Sequence, residues 1–150
     1  MKFTTNDIKV LREKTGAGIV ECKNMLTLHN GNMEVSEQAL IANLGQKALK
    51  KTDRTTNEGV VAHYIHPNKK MGAMISLKCE TDFVAKNVLF IQLANDIAMH
   101  VAAMDTQDVV ALYDEKFVKD ASITIKDYIH QVIGKVGENI QVANIVRFTI

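Results

Sequence analysis

Glu80-Thr81-Asp82-Phe83-Val84-Ala85-Lys86 marks the point where the apolar period of the chain changes, and its reading decides the fold. Upstream, Ala73, Ile75, Leu77 and Cys79 are apolar at every second position, the pattern of a half-buried strand. Downstream, Val84, Val88, Ile91, Ala94, Ile97, Val101 and Met104 recur at three- and four-residue steps. That spacing predicts one amphipathic helix from Phe83 to about Met104. Thr81 or Asp82 is its expected N-cap, because either side chain can accept from the free N–H groups of a first helical turn. Phe83 falls in that turn but outside the apolar stripe. On spacing alone, packing under the neighbouring strands is the commoner fate of such a ring. An aromatic aimed off the core at a capped tip is instead a candidate for insertion into a partner.

Working outward, Val61, His63 and Ile65 alternate with Val60, Ala62, Tyr64 and His66 to give a strand. Pro67-Asn68-Lys69-Lys70 is the turn of a hairpin, with Pro pre-setting φ, and Met71–Cys79 is its second strand. Residues 105–122 show no clear period beyond a short helix around Asp108–Tyr113. Ile125, Ile129, Val132 and Val136 define another helix, closed by Gly137. Ile140, Val142, Val146, Phe148 and Ile150 alternate as a terminal strand, with Asn144 the exception. Ahead of all this, residues 1 to about 50 read as three short helices. The first starts near Thr5 or Asn6, buries Ile8 and Leu11, and stops at Thr15-Gly16-Ala17-Gly18. The second, from Ile19 to about Leu28, turns Ile19, Cys22, Met25 and Leu26 to one side and ends at Asn30-Gly31. The third begins near Asn32 or Met33 and presents Val35, Ala39 and Ala42, continuing through Leu44 and Leu49. Lys47, Lys50, Lys51 and Arg54 read as a solvated helix end and linker. The expected fold class is α+β. A three-helix unit over 1–53 precedes a core over 54–150, in which a small antiparallel sheet of about three strands is packed with helices.

A chain of 150 residues with net charge +1 carries no strong field toward nucleic acid or anionic membrane. No apolar run approaches membrane-spanning length, and the first residues lack a signal core, so a cytosol or an already entered compartment is expected. Cys22 and Cys79 lie far apart on apolar faces and read as buried reduced thiols. His63 and His66 point to opposite faces of their strand and cannot share a metal. Phosphate-loop, GxGxxG and GxSxG patterns are absent from the sequence, and Thr15-Gly16-Ala17-Gly18 lacks a phosphate-holding lysine. No cofactor, metal or catalytic residue is expected, and the chain does not read as an enzyme.

Three motifs, in order along the chain, carry a family resemblance. Thr81-Asp82-Phe83-Val84-Ala85-Lys86 resembles the signature of elongation factor Ts, the guanine-nucleotide exchange factor of elongation factor Tu. Leu11-Arg12-Glu13-Lys14-Thr15-Gly16-Ala17-Gly18-Ile19-Val20-Glu21-Cys22-Lys23 is similar to that family's amino-terminal motif, with Ile19 and Val20 where methionines are common. Gly137-Glu138-Asn139-Ile140 is similar to its closing motif. The resemblance implies a ubiquitin-associated-like head and partner contacts through Thr81, Asp82, Phe83 and Val84 at the tip. It also implies contacts through Leu11, Ile19 and Val20 in the head and through Glu138 and Asn139 in the core. Phe83 would wedge into the nucleotide-binding domain of elongation factor Tu and disturb the structure that supports magnesium and phosphates. Longer family members have two related core halves, whereas residues 58–150 contain sequence for one and no internal repeat. A lone three-stranded half exposes an edge and a sheet face, so a twofold homodimer is expected. The implied location is bacterial cytoplasm or an organelle's matrix or stroma. The rival reading is a non-exchange binding module, whose head takes a ubiquitin-like or other helical partner while the core serves as a dimerisation platform.

Overall fold

Side-chain caps at Thr4 and Asn32 open two of the three helices in the first fifty residues. The computed structural model describes residues 3–150, so the first two positions of the expected head lie outside the described residues. Helix α1, Thr5–Thr15, opens at Thr4, whose hydroxyl accepts from the Asp7 N–H while the Asp7 carboxylate accepts from the Thr4 N–H. It closes at Gly16, whose φ of 75° is the left-handed cap that glycine adopts freely. Helices α2, Ile19–Leu28, and α3, Met33–Leu49, follow, with Asn32 capping α3. Leu11, Ala17, Cys22, Leu26 and Leu40 form a small core of their own.

The inner face of α3 is Ser36, Leu40, Leu44 and Ala48, not the expected Val35, Ala39 and Ala42. The Ser36 hydroxyl donates inward to the Met25 and Asn32 carbonyls and so satisfies itself against α2. Further along, α3 leaves the head's core and packs along α7, Ile125–Val136, where Ala48 joins the larger core. The two helices approach closely because α7 carries Gly134. A Cβ there would stand 2.5 Å from Leu44 Cδ2. Helix α3 therefore belongs to both parts of the molecule.

The sheet is antiparallel, in the order β1 (Glu58–Ile65), β2 (Met71–Cys79), β5 (Gln141–Thr149), with β2 central. Ala62, Ala73, Ile75, Leu77 and Val142 face helix α5, Val88–Ala103, which buries Phe90, Leu93, Ala94, Ile97 and Val101 against them. Two expectations need correction. The helix predicted from Phe83 to Met104 is two helices, the single turn α4 (Asp82–Ala85) and α5. Asn87 starts a fresh helix by accepting from the Leu89 N–H. The break rotates the buried stripe to Phe90 and Leu93 and leaves Val88 and Ile91 exposed. The terminal strand is likewise not one alternating face. Leu77 pairs with Val142 but Ser76 pairs with Asn144, so Ala143 is an inserted residue. Ile140 and Val142 lie inside, and beyond the bulge Val146, Phe148 and Ile150 emerge on the opposite face.

Residues 105–124, unresolved by sequence pattern, contain helix α6 (Val109–Asp114) and a hairpin of β3 (Lys116–Phe117) with β4 (Asp120–Thr124). Buried polar groups on α5 hold this hairpin. His100 is fully buried. Its Nδ1 accepts from the Val118 N–H at 3.1 Å, so Nε2 carries the proton and donates to the Glu115 carboxylate at 2.8 Å. Asp96 accepts from Lys119 Nζ and from the Tyr128 hydroxyl, both at 2.7 Å. Burial and this carboxylate together push the Tyr128 phenol up from its ordinary value. Replacing Asp96 by Ala strands the Tyr128 hydroxyl and frees Lys119. Asp96→Ala is expected to lower the unfolding free energy by about 1–3 kcal/mol in urea denaturation, and an unchanged midpoint would show that the anchor is dispensable.

Candidate partner-binding tip

The tip is built by a strand that ends on a carboxylate. Where β2 gives out, the Glu138 carboxylate accepts from the Glu80 N–H at 3.1 Å and from the Thr81 N–H at 3.0 Å. It also takes the Thr81 hydroxyl at 2.6 Å. Thr81 is the N-cap of α4, accepting from the Val84 N–H at 3.5 Å. Val84 and Ala85 turn inward, which leaves Phe83 pointing outward and 83% exposed. Asp82 is also exposed and pairs with Lys86, at 3.3 Å, one turn on. The ring thus stands in solvent on a single helical turn. The buried reading weighed for it does not hold.

The other sequence-predicted residues divide. Ile19 and Val20 are exposed (56% and 68%) at the start of α2. The turn before them is seated on the core, because the Lys135 side chain crosses Gly16 so closely that a Cβ there would lie 2.2 Å from Lys135 Cε. Leu11 is fully buried in the head's core and presents no side chain outward, since its position one turn after Ile8 places it at the centre of the three helices. Val84 is likewise buried. Asn139 is 1% exposed, its amide donating to the Arg54 carbonyl at 2.9 Å and the Thr52 carbonyl at 3.4 Å. Glu138 is half-buried and spends both oxygens on the tip. Leu11, Val84 and Asn139 therefore shape the surface from beneath.

Two exposed apolar residues escaped the sequence reading. Val88 and Leu89 open α5 just after the tip, and Leu89 lines a cleft with Gly16, Ala17 and Gly18 beneath the head. A continuous helix places Val88 on the buried stripe. Asn87, a strong N-cap residue immediately ahead of it, was the signal that a new helix begins.

Among the described residues there is no group of His, Cys, Asp or Glu able to hold a metal ion, and no helix long and apolar enough to cross a membrane. Fold and surface together define an α+β protein that displays an aromatic tip beside a helical head. The family profile described as Elongation factor TS matches residues 80–150, from the tip to the end of β5. Elongation factor Ts of Fervidobacterium nodosum is 36% identical over 195 aligned positions, covering all of this chain and 99% of that protein. The aligned span exceeds the chain's 150 residues, so that relative carries residues absent here. Elongation factor Ts of Thermosipho melanesiensis is 36% identical, covering 95% of this chain and 96% of its own length. The Clostridium botulinum protein of the same name is 38% identical over 95% of this chain but only 47% of itself. The chain belongs to the elongation factor Ts family.

Both thiols are free and buried in this fold. Burial pushes Cys79 up to about 11, helped by the Glu138 charge, and burial raises Cys22 as well. Native protein at about pH 8 should therefore resist iodoacetamide, and both cysteines should react once it is unfolded. Rapid labelling of Cys79 in the native state would contradict the closed packing under the tip.

Proposed function

We propose that this chain is a guanine-nucleotide exchange factor that binds elongation factor Tu and promotes loss of GDP. The observation that carries the reading is Phe83, an exposed ring on a carboxylate-braced turn inside the family's own signature. The chain works where that GTPase works, in bacterial cytoplasm or an organelle's matrix or stroma. It needs no cofactor and performs no bond chemistry of its own. Residues 1–53 act as a grip through Ile19 and Val20, and residues 54–150 carry the tip and the sheet.

In this mechanism Thr81, Asp82 and Phe83 approach the nucleotide-binding domain, and the ring enters between partner side chains. GDP with magnesium is held there by charge and backbone donors, so a small displacement of their support weakens binding. Ejection requires the factor to bind the empty partner better than the loaded one. Burying one phenyl ring supplies on the order of 1.5–3 kcal/mol, roughly a tenfold to hundredfold shift. The head's apolar pair and the exposed Val88 and Leu89 add further contact. Phe83→Ala should slow stimulated release of fluorescent GDP by about tenfold or more while the complex still forms. An unchanged stopped-flow rate would remove Phe83 from the mechanism.

A homodimer completes the proposal. The sheet face away from α5 exposes Val61, Ile65, Met74, Val146, Phe148 and Ile150, with Phe148 at 73%. Contiguous apolar surface of this kind is normally covered, and a second copy of the same face covers it by twofold symmetry. Sedimentation should give a dimer for the unmodified chain and a monomer for Phe148→Glu, with the circular dichroism spectrum unchanged. A monomer in both cases would refute the pairing.

A further inference from the structure

Phe83 is largely exposed, and its helix is a single turn. An isolated turn has too few hydrogen bonds to fix its own direction. The direction of the ring must come from the residues on either side. On the downstream side Val84 and Ala85 are buried. On the upstream side, both oxygens of Glu138 meet the Glu80 and Thr81 N–H groups and the Thr81 hydroxyl. The hydroxyl contact, at 2.6 Å, has the length of a charge-assisted bond, and the two N–H contacts, at 3.0 and 3.1 Å, have ordinary hydrogen-bond length. The neighbouring residue answers from the other direction. Glu80 Oε1 accepts from the Asn139 N–H at 2.7 Å, and Arg54 Nη1 lies 3.6 Å from the same oxygen. The Asn139 amide in turn holds the Thr52 and Arg54 carbonyls, in the segment that leads from α3 to β1. Gly137, with φ of 78°, closes α7 and turns the chain so that these two residues enter the junction consecutively.

We infer that Glu138 is the positioning residue of the tip. Its carboxylate sets the angle at which Phe83 leaves the protein, and Asn139 ties that setting to the segment carrying the head. Glu138 touches neither nucleotide nor GTPase in this role. It acts through Thr81. The inference rests on the exchange reading for its kinetic consequence, while its structural consequence is measurable on the free chain.

The test compares full-length chains carrying Glu138→Ala and Glu138→Gln. Glutamine keeps a carbonyl oxygen for the two N–H groups and offers its amide to the Thr81 oxygen, so it should behave nearly as the unmodified chain. In Glu138→Ala, hydrogen exchange at the Glu80, Thr81 and Val84 amides should quicken while the α5 amides keep their protection. The maximal rate of GDP release from elongation factor Tu should fall about tenfold, with the half-saturating concentration of the factor little changed. Glutamine should restore both readouts. If Glu138→Ala does not fold, Thr81→Val removes the hydroxyl partner from the other side and must lower the maximal rate in the same way. Unchanged tip amides, or an unchanged maximal rate beside an active unmodified chain, would overturn the inference. Faster tip amides in Glu138→Ala when even the unmodified chain releases no GDP would defeat the exchange reading and leave the positioning intact.

Discussion

The junction between Glu138 and the end of β2 is the constraint on which the rest depends. A central strand must stop, a one-turn helix must start, and the N–H groups freed by that change need acceptors away from water. One carboxylate, more than fifty residues away in sequence, supplies them. Because its oxygens are spent on the strand end, Thr81 is fixed beneath the turn, and Asp82 and Phe83 lie outside. An internal polar arrangement thus produces an external apolar feature, and the burial that raises the Cys79 thiol marks how closely that turn is sealed beneath.

The second constraint is the place of the head. Helix α3 contributes Leu40 to the head's core and Ala48 to the main core, so the head is seated on α7. Gly134 admits Leu44, and Gly16 accepts the Lys135 stem. Asn139 fastens the linker carbonyls from a third direction. Ile19 and Val20 consequently stand at a set place relative to Phe83. On the proposed exchange reading, head and tip would meet the partner from one frame. A ring alone shifts an equilibrium only by its own differential affinity, whereas an anchored frame lets the head's contact oppose recoil of the tip.

Much of this was legible in the residues, for identifiable reasons. The β1–β2 hairpin and the bounds of α2 and α7 follow from unbroken periods ended by glycine, asparagine or proline. Phe83 read as off-core because it breaks a stripe whose neighbours keep it. Three features were hidden. The division at Asn87 escaped because Val84 and Val88 keep helical spacing across a break. The bulge at Ala143 escaped because Val142 and Val146 are both apolar on either side of a face reversal, and only Asn144 betrayed it. The β3–β4 hairpin escaped because polar groups of α5, Asp96 and His100, hold it, and such anchors leave no period in a sequence. The inward role of Asn139 was obscured for a different reason, and at Leu11 the periodicity that buries it stands against the contact the family motif implies. A family motif mixes residues that touch a partner with residues that hold those residues in place.

In the proposed mechanism this chain and GDP weaken each other's hold on one partner. This antagonism is tested most directly by titrating elongation factor Tu with the chain in calorimetry, once free of nucleotide and once saturated with magnesium and GDP. Linkage requires GDP to weaken the chain by the same factor as the chain weakens GDP. Markedly tighter binding to the nucleotide-free protein is expected. Equal affinity in the two titrations would contradict it.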